Sequence, residues 1–272
     1  MPSLYKIGRY SLEWVREFYD QAGAWWGADP QEPGTHAARV KIVNRMCGTP
    51  PLTILDLGSG GGATSAALAD AGHHVTAIEF SPPRAAFTSQ LIEQPRSGTL
   101  IFLEADFYTV DLAQKFDVVT YWDGFGVGTD EDQRILLKRI SHEWLKESGC
   151  LIMDIFNPYK AARDAGSEKR LPPLKGVPGS VEMINRHFFD PAVSRWIDEW
   201  EPVEHPEDTM AQTIRCYSPA DLKLLLEGTG LRLTRVEQDG VEVECGLQQV
   251  NREAPVLSDW SYLVHIKKLS AD

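Results

Sequence analysis

The apolar positions of this chain change rhythm twice. Over residues 10–26, YSLEWVREFYDQAGAWW, aromatics recur at helical spacing: Tyr10, Trp14, Phe18, then Trp25 and Trp26. That spacing predicts an amphipathic helix with Ser11 as its N-cap. A second helix is expected from about Thr35 to Met46, stopped near Gly48. From Leu52 onwards, short apolar runs alternate with helical stretches. Strands are expected at 52–57, 74–80, 100–105, 116–122 and 150–156. Helices are expected up to about Ala71, after Ser81-Pro82-Pro83, and from the acidic start at 129–132 towards Lys146, closed by Gly149. The strand runs are too continuous for a sheet with one wet face, so they predict a parallel sheet covered on both sides.

The rhythm then breaks. SVEMINRHFF, AVSRWIDEW and MAQTIRCY follow one another between residues 180 and 217 without helices, and Asp190-Pro191 turns the first pair. They predict a small antiparallel insertion. The α/β pattern resumes with a helix over 218–227, a strand over 231–238 and a last strand from about Trp260 to Lys267.

Composition narrows the function classes. The chain has 272 residues, with 27 Lys plus Arg against 39 Asp plus Glu, a formal net charge of −12. Such an excess repels phosphate backbones and anionic lipid, and no basic run compensates it, so neither nucleic acid nor membrane is an expected partner. No apolar run approaches the roughly 18 residues of a membrane span, and the first ten residues show no secretory h-region. Cys47, Cys150, Cys216 and Cys245 form no C-x-x-C pair. Reduced, mostly buried thiols in a soluble cytoplasmic protein are expected, with no metal site.

The chemistry concentrates in 54-ILDLGSGGGATSAAL-68, where a strand runs through glycines into a helix. Glycines permit tight turning and close approach to a ligand, and a helix start offers free N–H groups. GSGGGA fits a dinucleotide pattern, and the stretch from Asp56 also fits D-x-G-x-G-x-G. Asp56 favours the second reading: a buried carboxylate suits a cationic ligand and would repel a pyrophosphate. Glu79 closes the next strand, placed to take both hydroxyls of a ribose. EADF at 104–107 offers Asp106 to an exocyclic amine and Phe107 to a ring. YWDGFG at 121–126 brings bulky aromatics to the same rim. In open α/β sheets, ligands bind off the carboxyl ends of the strands, where all four features fall.

DLGSGGG, IEF, EADF and FDVVTYWDG, in that order and spacing, resemble class I S-adenosylmethionine-dependent methyltransferases, most nearly those that act on small molecules. The resemblance implies a Rossmann-like seven-stranded sheet with its last strand antiparallel and helices on both faces. It implies S-adenosyl-L-methionine as cofactor. Asp56, Gly58, Gly60 and Gly62 would surround its methionine part, with Trp122 flanking. Glu79 would take the ribose, and Asp106 with Phe107 the adenine. The implied division is an N-terminal helical lid over 1–48, a cofactor-binding core over 49–166 and 217–272, and a β insertion over 167–216 as substrate cap.

The implied reaction is methyl transfer to an amine or hydroxyl of a small acceptor. Some small-molecule methyltransferases place a histidine base after the fourth strand. Here DGFGVGTDED has none, so Asp123 and Tyr10 are the candidates to activate the nucleophile, unless it arrives as the free base. Tyr19, Trp26 and Phe125 are candidate substrate walls. His187 and His205, in or beside the insertion, are weaker candidates. The acids from Asp198 to Asp208 read as a solvated edge that discourages strand pairing. The rival readings are an NAD-dependent oxidoreductase, carried by GSGGGA with Glu79, and a non-catalytic methyltransferase-like binding protein.

Overall fold

A computed structural model describes residues 12, 14–27, 31–32, 34–177, 179–245 and 259–269. Ser11, placed above as an N-cap, and Tyr10 lie outside the described residues. Two helices come first, α1 (Val15–Trp26) and α2 (Thr35–Cys47). The core follows as β1 (Thr53–Leu57), α3 (Ala63–Asp70), β2 (His74–Glu79), α4 (Pro82–Ile92), β3 (Thr99–Glu104), β4 (Phe116–Tyr121), α5 (Asp130–Arg139) and β5 (Leu145–Phe156). After α6 (Pro158–Arg163) comes a four-stranded antiparallel sheet, β6 (Glu168–Leu171), β7 (Met183–Asp190), β8 (Arg195–Pro202) and β9 (Met210–Arg215). The core resumes with α7 (Pro219–Leu226), β10 (Leu231–Gln238), the two-residue β11 (Val241–Glu242) and β12 (Ser261–Lys268).

The large sheet runs β11-β10-β12-β5-β4-β1-β2-β3. Seven long strands and one short edge realise the expected architecture, and β12 lies antiparallel to both neighbours. Its central strands are buried on both faces, as their unbroken apolar runs require. One face packs Leu57, Val119 and Leu151 against Leu136, Leu137 and Trp144 of the α5 region and Leu222 of α7. The other packs Ile54, Val118 and Ile152 against Val43 of α2 and Leu68 of α3. A third apolar cluster joins Val15 of α1 to Trp196 and Ile214 of the small sheet.

Four expectations change. The helix expected from 129–132 opens with a capping box between Thr129 and Asp132, but it ends in a π turn at Ile140–Trp144. Leu145 then pairs with Phe116, and Lys146 reaches Asp117 at 2.9 Å, so the stretch read as a helix end opens β5. The insertion has a fourth strand, β6, too short and too charged to show an apolar period. Asp198 and Glu199 are buried: Asn185, Trp200 and Gln212 donate to Asp198, and Arg186 donates to Glu199. Cys47 and Cys150, expected as free thiols, are joined by a disulfide across 103 positions, whereas Cys216 and Cys245 stay unpaired. Among the described residues, no helix is long and apolar enough to cross a membrane.

Candidate active site

A cavity of about 400 Å³ opens over the carboxyl ends of β1 to β4, beneath α1 and the small sheet. Its floor is the turn after β1. Gly58, Gly60 and Gly62 all take positive φ, at 60°, 58° and 80°. Gly58 and Gly60 line the cavity. Gly62 lies beneath the turn, as the N-cap of α3, where an added Cβ would stand 2.7 Å from Thr88. The turn is braced by the two strand-end acids. Glu79 Oε2 accepts from the Gly60 N–H at 2.8 Å, and Oε1 accepts from the Phe80 and Ser81 N–H groups. Burial pushes the Glu79 carboxyl above its ordinary range, against these hydrogen bonds and the Arg84 charge. Three of the roughly four lone-pair positions of this carboxylate are therefore occupied. One hydroxyl fits as the loop stands; a second requires the Gly60 N–H to let go.

Asp56 lines the cavity from below, 1% exposed. Ser65 donates to its Oδ2 at 2.5 Å and Thr120 to its Oδ1 at 2.7 Å. Burial raises its pKa, opposed by those two bonds and by the nearby Arg39 and His36. It ties β1 to β4 and to the first turn of α3 while also lining the cavity. Asp106 and Phe107 reach the cavity from the end of β3. Asp106 accepts from the Tyr108 N–H, and Phe107 sets its ring edge-on to Tyr121.

Trp122 lies flat under the Arg39 guanidinium, 4.9 Å from its centre. Next to it Asp123 holds φ at 57° and accepts from Gln31 at 2.9 Å and from Arg39. The Asp123 N–H donates to Asp154 Oδ1 at 2.8 Å. Burial pushes the Asp154 carboxyl well above the usual range, and the Asp123 charge adds to the shift. Asp123 thus stands at the cavity wall, with its carboxylate engaged by neighbours.

The roof comes from α1 and the insertion. Tyr19 and Trp26 line it. The Tyr19 hydroxyl donates to Gln212 Oε1 at 3.2 Å, and Trp26 meets Trp200 edge-on at 5.2 Å. Phe125 is a correction. It is fully buried between Tyr121 and Tyr217, in the core behind the cavity wall, and builds no substrate wall. His187 sits between Trp196 and Trp260, 3.4 Å from Asp198, and His205 is exposed beside Glu207. Neither lines the cavity.

Among the lining residues that sequence reasoning missed are His36, Arg39, Arg84 and Gln212. His36 and Arg39, three positions apart on one face of α2, both contact Thr64 Oγ1, at 2.8 and 3.1 Å. Their i, i+3 spacing was the available signal. Arg84, in the first turn of α4, is 7% exposed and lies over Tyr19 and Trp26. Its Nε finds no hydrogen-bond partner among the described residues. Gln212 is held by Asp198 through its Nε2, which turns its carbonyl oxygen to the Tyr19 side.

Residues 54–149, the span that carries this floor, match the family described as a methyltransferase domain. The core has the class I methyltransferase fold. The chain is 32% identical over 119 residues to a cypemycin N-terminal methyltransferase of a Streptomyces species, a match covering 43% of this chain and 47% of that one. It therefore spans about half the length of that relative. Among solved structures, the CcbJ methyltransferase of Streptomyces caelestis superposes with a TM-score of 0.69 at 17% identity, over 94% of this chain and 96% of the other. The glycopeptide N-methyltransferase MtfA, solved with S-adenosyl-L-homocysteine, gives 0.56 at 20% identity, covering 88% and 91%. These likenesses extend over most of the chain, well beyond the residues that the methyltransferase model matches.

Proposed function

We propose that the protein transfers a methyl group from S-adenosyl-L-methionine to an amine or hydroxyl of a small molecule held under α1 and the insertion. The carrying observation is the glycine turn. A Cβ at Gly58 would stand 3.3 Å from the Tyr121 ring and one at Gly60 3.1 Å from the tip of Arg84, both tighter than ordinary contact, and both residues hold left-handed φ, so this floor favours bare backbone. Around it stand the groups such a cofactor needs. Glu79 keeps a free acceptor position for a ribose hydroxyl, Asp106 offers a carboxylate to an amine, and Phe80 and Phe107 offer ring faces. His36, Arg39 and Arg84 supply cationic or donor groups for a carboxylate. The cofactor, when bound, supplies a methyl on a sulfonium, an electrophile with a good leaving group.

The chain then has to align, enclose and accept. Positioning of this kind supplies on the order of 7–11 kcal/mol where geometry is well held. The apolar cluster of Val15, Val127, Trp196 and Ile214 closes the roof against water. Gln212, fixed by Asp198, presents an acceptor oxygen that can hold an N–H or O–H of the nucleophile. The Asp123 carboxylate is engaged by Arg39 and Gln31, so an amine arriving as its free base suits the site better than an alcohol that needs a strong base. Tyr10, the other residue put forward as activator, lies outside the described residues. Titration calorimetry with S-adenosylhomocysteine and with NAD tests the assignment. Binding of the first and not the second is expected, and the reverse result would overturn it.

A further inference from the structure

The disulfide has a third neighbour. Cys47 is the last residue of α2, Cys150 lies in β5 and His265 in β12. In the antiparallel β5–β12 pair, Cys150 stands opposite Lys267, so His265, two residues away, shares its face of the sheet. The two sulfurs and one ring nitrogen of His265 all lie within 4.8 Å of one another. We propose that Cys47, Cys150 and His265 form a zinc site, occupied when the disulfide is reduced.

The hydrogen bonds around His265 select its ligating nitrogen. Thr234 Oγ1 donates to the His265 carbonyl oxygen at 2.8 Å, which uses its single hydrogen. Its 2.6 Å contact with Nδ1 therefore needs Nδ1 to carry the proton and donate. Nε2 is left with its lone pair, the tautomer that metal-binding imidazoles adopt when their other nitrogen is held. That Nε2 is buried and has no hydrogen-bond partner among the described residues, in a side chain only 8% exposed. An unpaired buried acceptor is costly in a fold, and a metal ion would satisfy it. Two thiolates and one imidazole form a soft donor set suited to zinc, leaving a fourth position for water or an added ligand.

The two states exclude each other, because a sulfur in the S–S bond is no thiolate. Reduction by a dithiol takes two electrons and two protons into the chain, yields two Cys thiols and leaves the reductant as its own disulfide. Zinc binding then releases both thiol protons. Either state ties the end of α2 to the sheet. His36 and Arg39 lie on the same helix, eleven and eight positions earlier, so the tie also fixes the helix that brings them to the cavity. The site is built from residues outside the cavity lining and stands whether or not the methyltransferase assignment does.

The test uses the full chain, reduced with a phosphine and desalted without oxygen. Cobalt(II) is added as a spectroscopic probe and then displaced by zinc, with bound metal counted by elemental analysis. One ion per chain and a thiolate-to-cobalt charge-transfer band are expected. Cys150→Ser should abolish the band. Thr234→Val, which frees the Nδ1 side without touching a ligand, should weaken zinc by about 10–100-fold. His205→Ala, at the exposed His205, Glu207 and Asp208 group, should leave the band unchanged. A reduced wild-type chain without the band would overturn the proposal, and so would a His265→Gln variant that binds zinc as tightly as wild type.

Discussion

Gly60 and Gly62 sit two residues apart, both with left-handed φ, yet they should fail differently when given a methyl group. Any L-residue there costs about 1–2 kcal/mol for the conformation alone. In Gly62→Ala the new Cβ would stand 2.7 and 2.8 Å from Thr88 Cγ2 and Oγ1. Thr88 is fully buried and its hydroxyl is bonded to the Gly60 carbonyl at 3.1 Å, so this stiff side chain has nowhere to turn. Overpacking of that kind adds about 1–3 kcal/mol, for a combined loss of about 2–5 kcal/mol. At about 2–4 °C per kcal/mol in a chain of this size, Tm should fall by about 4–20 °C. In Gly60→Ala the Cβ meets only the tip of Arg84, at 3.1 Å, a group that can swing aside. The stability loss should stay near the conformational term, about 2–8 °C. The methyl, however, projects from the floor on which the cofactor would lie. Calorimetry with S-adenosylhomocysteine should show at least a tenfold loss for Gly60→Ala, about 1.4 kcal/mol. Folded Gly62→Ala should stay within about threefold of wild type, roughly 0.65 kcal/mol. Wild-type affinity in Gly60→Ala, together with an unchanged Tm in Gly62→Ala, would refute the placement of the two glycines.

Three further outcomes follow from the same geometry. Phe125→Ala removes a fully buried ring and should lower stability by about 3–5 kcal/mol in a denaturant titration, leaving cofactor-product affinity intact in the absence of denaturant. Tyr19→Phe breaks the 3.2 Å bond to Gln212, worth about 0.5–1.5 kcal/mol, and should raise KM for the acceptor by about 2–13-fold with the affinity for S-adenosylhomocysteine unchanged. Asp154 has a raised folded-state pKa, so the native chain holds its proton more tightly than the unfolded chain does. The stability it lends is complete below the unfolded value of about 3.9 and is lost as pH rises through the folded one. Asp154→Asn keeps an acceptor for the Asp123 N–H and removes that loss, so its Tm should gain on wild type as pH climbs from about 4. A constant Tm difference across the range would show that Asp154 does not carry the slope.

What could be read in the sequence was local. Glycine turn, Asp56, Glu79 and Asp106 all stand at strand ends, and a parallel sheet delivers strand ends to one rim whatever else the chain does. His36, Arg39 and Gln212 reach the cavity only because α2 packs on the sheet and the insertion folds over it; the i, i+3 spacing of the first two marks a shared helix face but not what that face meets. Cys47, Cys150 and His265 lie on three elements far apart in sequence, so neither their pairing nor their convergence left a local trace. Phe125 misled for a definite reason. A glycine on each side usually marks an open loop, but here the glycines let the loop press inward. A Cβ at Gly124 would stand 2.6 Å from Tyr121, and one at Gly126 would stand 2.2 Å from the Arg215 carbonyl oxygen. The acids at Asp198 and Glu199 misled likewise, because their donors, Asn185, Gln212 and Arg186, sit on neighbouring strands.

Floor and roof of the cavity are held by unequal means, and this bears on how an acceptor enters. The floor is continuous with the two large apolar clusters that bury the central strands, so it should open only as the whole sheet comes apart. The roof rests on the smaller cluster around Val15, Trp196 and Ile214, on the Trp26–Trp200 edge contact, on the Tyr19–Gln212 bond and on the seat of α1 against α4, where Arg16 donates to the Phe80 carbonyl and Arg84 lies over Tyr19 and Trp26. Displacing α1 breaks those contacts and leaves the sheet intact, a local opening far cheaper than unfolding. Gln212 stays oriented in such an opening, because Asp198 and its donors lie within the insertion itself. The acceptor oxygen is therefore in place before the roof closes, and closure adds the Tyr19 hydroxyl and the exclusion of water. On the proposed function, recognition of the acceptor would thus divide in two, with orientation set by the insertion and sealing supplied by α1.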